Sequence, residues 1–207
     1  MLEDTGERVI PDQMEVTNRL LIEHVARYQF ATSFVYGRVL DFACGSGYGT
    51  HLMIKSSKER VERVVGIDYS GDAIAYAKNR YYHPLTEFIH GDVTDPNLPS
   101  ELGQFDCIVS FETFEHIHDE KQFLKNIDQL LKPGGRLILS TPFGEGRDQP
   151  SGVPFHVHQL TVDEFKHLFD EFNYQSVEFF YQNGGLIVPE SFEIDQYFPL
   201  GIAICKK

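Results

Sequence analysis

Two carboxylates and an imidazole crowd into five residues of this chain, Glu112-Thr113-Phe114-Glu115-His116. Spacings of three and four put side chains on one face of a helical turn, so Glu112, Glu115 and His116 are expected to converge. Such a set suits a divalent ion, Mg2+ or Mn2+ first and Fe2+ next. A fourth ligand is expected from His156 or His158, and an extended segment would project both to the same side. A bound cation lowers the pKa of a hydroxyl as it lowers that of water. A histidine can then take the proton. The same residues can equally orient a loop or bind an acceptor with no metal present.

Further acids stand where short apolar runs end. Val39 to Ala43 reads as a buried strand carrying Asp41, then breaks into Gly45-Ser46-Gly47-Tyr48-Gly49 and resumes as a helix over Tyr48 to Lys55. A strand passing through such a turn into a helix presents unpaired N–H groups at the helix start, and bare glycine lets a ligand approach the backbone. The dinucleotide fingerprint would need a third glycine where Thr50 stands. A carboxylate at Asp41 would repel a pyrophosphate but suits a ligand with a cationic end, such as S-adenosylmethionine. Val64 to Asp68 is a second strand ending in an acid, 21 positions beyond Gly47, close to the offset of about 20 at which an acid meets a ribose diol. Tyr69 follows and is placed to lie against a purine. Asp68 could instead cap the next helix, although Ser70 is better placed to do that. Phe88 to Val93 ends in Gly91-Asp92, where an acid can accept from an adenine amino group, and Phe105 to Phe111 carries Ser110 near its end.

The elements that must hold these residues alternate. Helices over Gly71 to Tyr81 and Glu120 to Leu131 separate the strands, and Lys132-Pro133-Gly134-Gly135 turns the second helix into a strand over Arg136 to Ser140. This alternation predicts an α/β fold with a parallel sheet and helices on both faces. Ligands of such sheets bind at the carboxyl ends of the strands, where Asp41, Asp68, Asp92 and Ser110 all fall. Before the first strand, a helix is expected over Asp12 to Phe34, covering the sheet or closing as a lid with Arg27 or Tyr28 reaching in. Thr161 and Glu164 form a capping box ahead of another helix.

In order and spacing, VLDFACGSGYGT, VVGIDYS, FIHGDV, FDCIVSFETFEHI and LLKPGGRLILSTP resemble the motif series of the class I S-adenosylmethionine-dependent methyltransferases, type 11-like, over residues 39 to 142. The resemblance implies a Rossmann-like seven-stranded, mostly parallel sheet with strand seven antiparallel. Ser176 to Gln182 and Gly201 to Cys205 would then be strands six and seven. It also implies that S-adenosylmethionine is held by Asp41, Ala43, Gly45, Gly47, Asp68, Tyr69, Asp92, Val93 and Ser110, with Tyr28 closing over it. The E-x-x-E-H cluster is similar to that of the ubiquinone-pathway O-methyltransferases and the small-RNA 2′-O-methyltransferases, which implies metal-assisted transfer to one of two neighbouring hydroxyls, with His156 matching the second group's distal histidine and His158 as the alternative. TGERVIP and PFHVHQLT resemble a bacterial subgroup associated with polysaccharide and secondary-metabolite pathways.

Size and charge set the remaining expectations. A chain of 207 residues, 42% hydrophobic and 24% charged, suits a single domain over 1–207. Residues 1–35 would be a lid segment, and the loops 142–160 and 183–199 would wall the acceptor. A formal charge of −13 disfavours nucleic acid, so a small hydroxylated acceptor is expected, a sugar or sugar nucleotide first and a catechol-like ring second. Cys44, Cys107 and Cys205 show neither metal nor disulfide spacing. That spacing makes a reducing cytoplasm the expected compartment, no apolar run reaches the length of a membrane span, and a homodimer is compatible with the sequence. Metal-independent N- or C-methyl transfer and non-catalytic cofactor binding are the alternatives.

Overall fold

Amphipathic helices and half-apolar strands cannot bury their apolar sides alone, so they stack in layers. The computed structural model describes residues 2–3, 5–192 and 196–207. Strands β1 (Gly37–Phe42), β2 (Val61–Asp68), β3 (Thr86–His90), β4 (Phe105–Phe111), β5 (Leu131–Pro142), β6 (Ser176–Asn183), β7 (Leu186–Pro189) and β8 (Leu200–Lys206) form one sheet in the order β3-β2-β1-β4-β5-β8-β6-β7. The first five are mutually parallel. β8 runs antiparallel to both β5 and β6, as the strand-seven expectation required. The order reverses beside β1, between β2 and β4, which opens a crevice at the carboxyl ends there.

The strand count is eight, not seven. Asn183 pairs with Leu186 across the two-residue loop Gly184-Gly185, and β7 returns antiparallel along β6. Gly184 takes φ +59, the conformation a two-residue hairpin loop demands. The segment expected as an acceptor wall, 183–199, is therefore partly a hairpin at the sheet's outer edge, and its residues 193–195 lie outside the described residues.

Side chains alternate across the sheet into two cores. Val39, Val64, Val109 and Ile138 face α1 (Arg19–Ala31), α2 (Tyr48–Ser56) and α3 (Gly71–Arg80). Leu40, Phe42, Val65, Ile67 and Leu137 face α4 (Leu98–Leu102), α5 (Glu120–Leu130) and α6 (Val162–His167). The helix expected over Asp12 to Phe34 is shorter at both ends. Asn18 caps α1 by accepting from the Leu21 N–H, and Pro11–Gln13 forms a separate 3-10 turn. Among the described residues no helix is long and apolar enough to cross a membrane.

Close packing fixes the glycine turn. A Cβ on Gly47 would stand 2.6 Å from the Ala77 Cβ, and Gly47 itself takes φ +84 at the start of α2. A Cβ on Gly49 would lie 2.0 Å from the Tyr28 ring, so α1 seats directly on that glycine. Gly49→Ala is expected to lower unfolding stability by about 1–3 kcal/mol through overpacking, read as a shifted denaturant midpoint. An unchanged midpoint would show that Tyr28 can leave its seat without cost.

Candidate active site

The carboxyl ends of the parallel strands, together with the N-terminal segment, enclose a cavity of about 610 Å³. Its walls come from the turn after β1 (Ala43 to Ser46), the ends of β2 and β3, the segment after β4, and the loop after β5. Residues 5–9 close it as a strap. Buried Leu2 and Ile10 pack against Ala73, Asp12 pairs with Arg80, and Ser46 Oγ donates to the Val9 carbonyl at 2.6 Å. The strap is thus tied to the glycine turn itself.

On the β2–β3 side, Asp68 lines the cavity. It accepts from the Gly45 N–H at 2.8 Å on one oxygen and from the Ser70 N–H at 2.9 Å on the other. Each oxygen keeps a lone pair, which matches two adjacent hydroxyls. Ser70, not Asp68, caps α3. Tyr69 stands exposed beside it, and Asp92 and Val93 line the wall that follows. Asp92 Oδ1 accepts from the Thr94 N–H and Oγ1. A Cβ on Gly45 would meet nothing within 4 Å, so the turn opens onto free space, while Ala43 and Gly45 both take positive φ.

Three expected cofactor contacts are placed elsewhere. Asp41 is fully enclosed beneath the turn, accepting from Tyr28 Oη at 3.0 Å and Thr50 Oγ1 at 2.6 Å. Burial pushes its carboxyl up to about 7, against the hydrogen bonds from Thr50 and Tyr28 that hold it down. It touches α1 and α2, not the cavity, because inward alternation along β1 aims it under them. Ser110 donates to the Phe42 carbonyl at 2.8 Å and is likewise buried away. Gly47 packs on Ala77 instead of facing the cavity. Tyr28 does line the cavity, with its hydroxyl turned to Asp41.

On the β4–β5 side, Glu112, Glu115, His116 and His156 all line the cavity, yet they do not form one ligand set. Glu112, at φ +49, accepts from Ser140 Oγ at 2.9 Å, and its other oxygen lies 3.8 Å from Arg27 Nη2. Glu115 is 1% exposed and accepts from Thr141 Oγ1 at 3.1 Å. Burial, then the charge of Glu112, pushes its carboxyl well above the usual range. Glu115 keeps its other oxygen 4.0 Å from His116 Nε2, but Glu112 is turned to Ser140 and Arg27, so the two carboxylates and the histidines do not close on one point. His158 is corrected as well: it turns from the cavity to Glu120 at 3.5 Å and sits edge-on to Phe114. The backbone turns at residues 154–155, with Phe155 at φ +70, so no extended segment aligns the two histidines.

His116 and His156 instead meet a residue that sequence reasoning missed. Glu7 of the strap lies 3.4 Å from His156 Nε2 and 3.9 Å from His116 Nε2. The two rings are edge-on at 4.8 Å. The Phe155 carbonyl, an obligate acceptor, takes the His116 Nδ1–H at 3.1 Å, which leaves Nε2 turned to the cluster with its lone pair. Burial, then the charge of His116, pushes His156 down. The signal for Glu7 was the polar run Thr5-Gly6-Glu7-Arg8 tied down by apolar Val9-Ile10, too short to form an element of its own. The buried Arg27, donating to Gln182 Oε1 at 2.8 Å, keeps Nε and Nη2 without a hydrogen-bond partner, as does the Tyr48 hydroxyl. His24 also lines the cavity, and burial, then Arg27, pushes it well down. No described residue of 183–199 lines the cavity, whereas Pro142, Val153 and His156 of the 142–160 loop do.

Residues 40–139 match the family model described as a methyltransferase domain. A probable S-adenosylmethionine-dependent methyltransferase of Mycolicibacterium smegmatis is 35% identical over 171 residues, which span 80% of this chain and 63% of that relative. The chain therefore covers less than two thirds of that relative's length. A ubiquinone biosynthesis O-methyltransferase of Pseudomonas aeruginosa is 30% identical over 105 residues, half of this chain and 44% of that one. In fold, the chain is similar to a methyltransferase solved in complex with the Trm112 methyltransferase activator of Haloferax volcanii, at TM-score 0.69, 18% identity and 89% coverage of both chains.

Proposed function

The chain belongs to the class I S-adenosylmethionine-dependent methyltransferases of the type 11-like group, and from that premise we propose that it methylates a hydroxyl oxygen of a small acceptor. The observation that carries the reading is the shared cavity. The open glycine turn and Asp68 stand on one side of it, and Glu7, His116 and His156 stand on the other. S-adenosylmethionine suits the first side: Asp68 offers two lone pairs to a ribose diol, Tyr69 a face to the purine, and Asp92 an acceptor to its amino group. When bound, that donor supplies an electrophilic methyl carbon on a sulfonium.

The chain's own part is orientation and proton removal, since transfer of this kind depends on alignment more than on covalent help. The acceptor O–H is placed beside the His156–Glu7 pair. His156 accepts its proton as the oxygen bonds to the methyl carbon, and Glu7 steadies the imidazolium formed. The pair left by the broken S–C bond stays on sulfur. A sugar or sugar nucleotide remains the first acceptor class. The likeness to an O-methyltransferase supports oxygen over nitrogen.

Calorimetry with S-adenosylhomocysteine, followed by a turnover screen of hydroxylated acceptors, tests the reading. Expected are cofactor binding and product release with a diol-bearing acceptor, and none with its methyl ether. Turnover confined to amine acceptors overturns the choice of oxygen. His156→Ala is expected to lower kcat by about 100-fold or more, the usual contribution of a positioned base, with cofactor affinity retained.

A further inference from the structure

The cluster at the strap has the composition of a metal centre, with a membership that the sequence motif did not give. One ligand atom each from Glu7, His116 and His156 lies within 4.8 Å of the others. The three come from the strap, the turn after β4 and the loop after β5, so the tertiary fold alone assembles them. We propose that they hold a divalent transition-metal ion, and that Glu112 and Glu115 are not its ligands.

Ligand atoms bonded to one ion at about 2.0–2.1 Å, at tetrahedral angles, stand about 3.4 Å apart. The Glu7–His156 separation is 3.4 Å through one carboxylate oxygen and the Glu7–His116 separation 3.9 Å through the other, and with one atom taken from each residue all three lie within 4.8 Å of one another, so side-chain movement on the order of 1 Å brings them onto one ion. His116 is already held in the ligating tautomer by the Phe155 carbonyl, the outer-shell support that ligating histidines require. That carbonyl is aimed by a non-glycine residue at φ +70, a conformation that persists only where its surroundings enforce it. Glu112 is engaged by Ser140 and Arg27, and Glu115 by Thr141. Recruiting Glu112 would strip its buried partners, while Glu115, whose other oxygen lies 4.0 Å from His116 Nε2, falls outside the set of atoms within 4.8 Å of one another.

Two imidazoles and one carboxylate favour an ion of the Mn2+, Fe2+, Co2+ or Zn2+ group over Mg2+, which seeks oxygen ligands. The ion's use rests on the methyl-transfer reading: at an acceptor hydroxyl it would lower the pKa and so make the proton easier to remove. In that loaded state His116 and His156 are ligands, and the proton passes to water.

Chelator-treated protein titrated with Co2+ tests this directly, through visible d–d absorption and calorimetry, with Mg2+ as the comparison ion. Expected are one Co2+ per chain, displacement by Zn2+ and none by millimolar Mg2+. Glu7→Gln, His116→Ala and His156→Ala should each weaken Co2+ by more than about tenfold, since loss of even an outer-shell partner costs about 10–100-fold. Glu112→Gln should leave Co2+ affinity within about twofold. Absence of binding, or binding indifferent to Glu7→Gln and His156→Ala, overturns the proposal. Glu7 is on the surface strap, so its variant remains informative where a histidine variant fails to fold. S-adenosylhomocysteine affinity, measured on the same samples, separates the two readings: cofactor binding without Co2+ binding removes only the metal site. Co2+ binding without cofactor binding removes only the methyl-transfer reading.

Discussion

Asp68→Ala is expected to weaken S-adenosylhomocysteine binding by about 100-fold or more. The carboxylate does two things at once. Its oxygens accept from the Gly45 and Ser70 N–H groups, which locks the turn after β1 to the turn after β2. The remaining lone pairs face the cavity, where two ribose hydroxyls would meet them. Hydrogen bonds to a charged group contribute about 1.5–3 kcal/mol each, and two such bonds correspond to two or more decades in affinity. Alanine also frees the Gly45 N–H, so the turn loses its fixed shape. Asp68→Asn separates the two effects: it keeps an acceptor for one N–H and should bind between alanine and wild type. Calorimetry is the measurement, and an alanine variant within threefold of wild type would sink the assignment of the cofactor side.

Asp41→Asn is expected to make the protein less sensitive to alkaline conditions, the opposite of what losing a salt-bridged aspartate would do. Asp41 is enclosed by Tyr28, Thr50 and Cys44, with the charge of Asp68 nearby. Among the groups acting on it, none supplies positive charge. Its folded value is raised from the ordinary 3.8 to about 7, so the folded state holds a proton that the unfolded chain gives up. Its contribution to stability is therefore fully present below about pH 4 and is lost as pH rises through about 7. A displacement of that size corresponds to at most about 4 kcal/mol. Glu115 is displaced in the same sense, while His24 and His156, pushed down, act oppositely. Only the difference between variant and wild type isolates Asp41. Between pH 5 and pH 8 that difference should move in favour of Asp41→Asn by about 2–4 kcal/mol in denaturant titrations. A constant difference would show that Asp41 is ionised throughout, sustained by Tyr28 and Thr50.

The same residue explains how α1 is coupled to the cofactor side. Tyr28 spans from Asp41 to the cavity wall and rests on Gly49. A change at the ring is therefore felt both at the buried carboxyl and at the ligand. This is why Asp41, although not in the cavity, stands at the end of β1: it anchors the helix that covers the site.

The sequence by itself determined the parallel sheet, the glycine turn and the acids at the ends of β2 and β3, while the antiparallel β8 was implied by the family resemblance alone. The first three follow from local signals: runs of branched residues, glycines where φ must be positive, and caps such as Ser70 and Thr161. They also follow from a motif series whose residues are close in the chain. The extra strand was legible in Asn183-Gly184-Gly185, a hairpin signal that the neighbouring aromatics obscured. Only the tertiary structure decided that Asp41 and Ser110 are buried beneath the site and that Glu112 belongs with Arg27 and Ser140. It alone turned His158 away and brought Glu7 to His116 and His156. The last of these depends on contacts between residues 109 to 149 positions apart. Periodicity says which face a side chain takes along its own element. Which distant element meets that face is settled by how the layers pack.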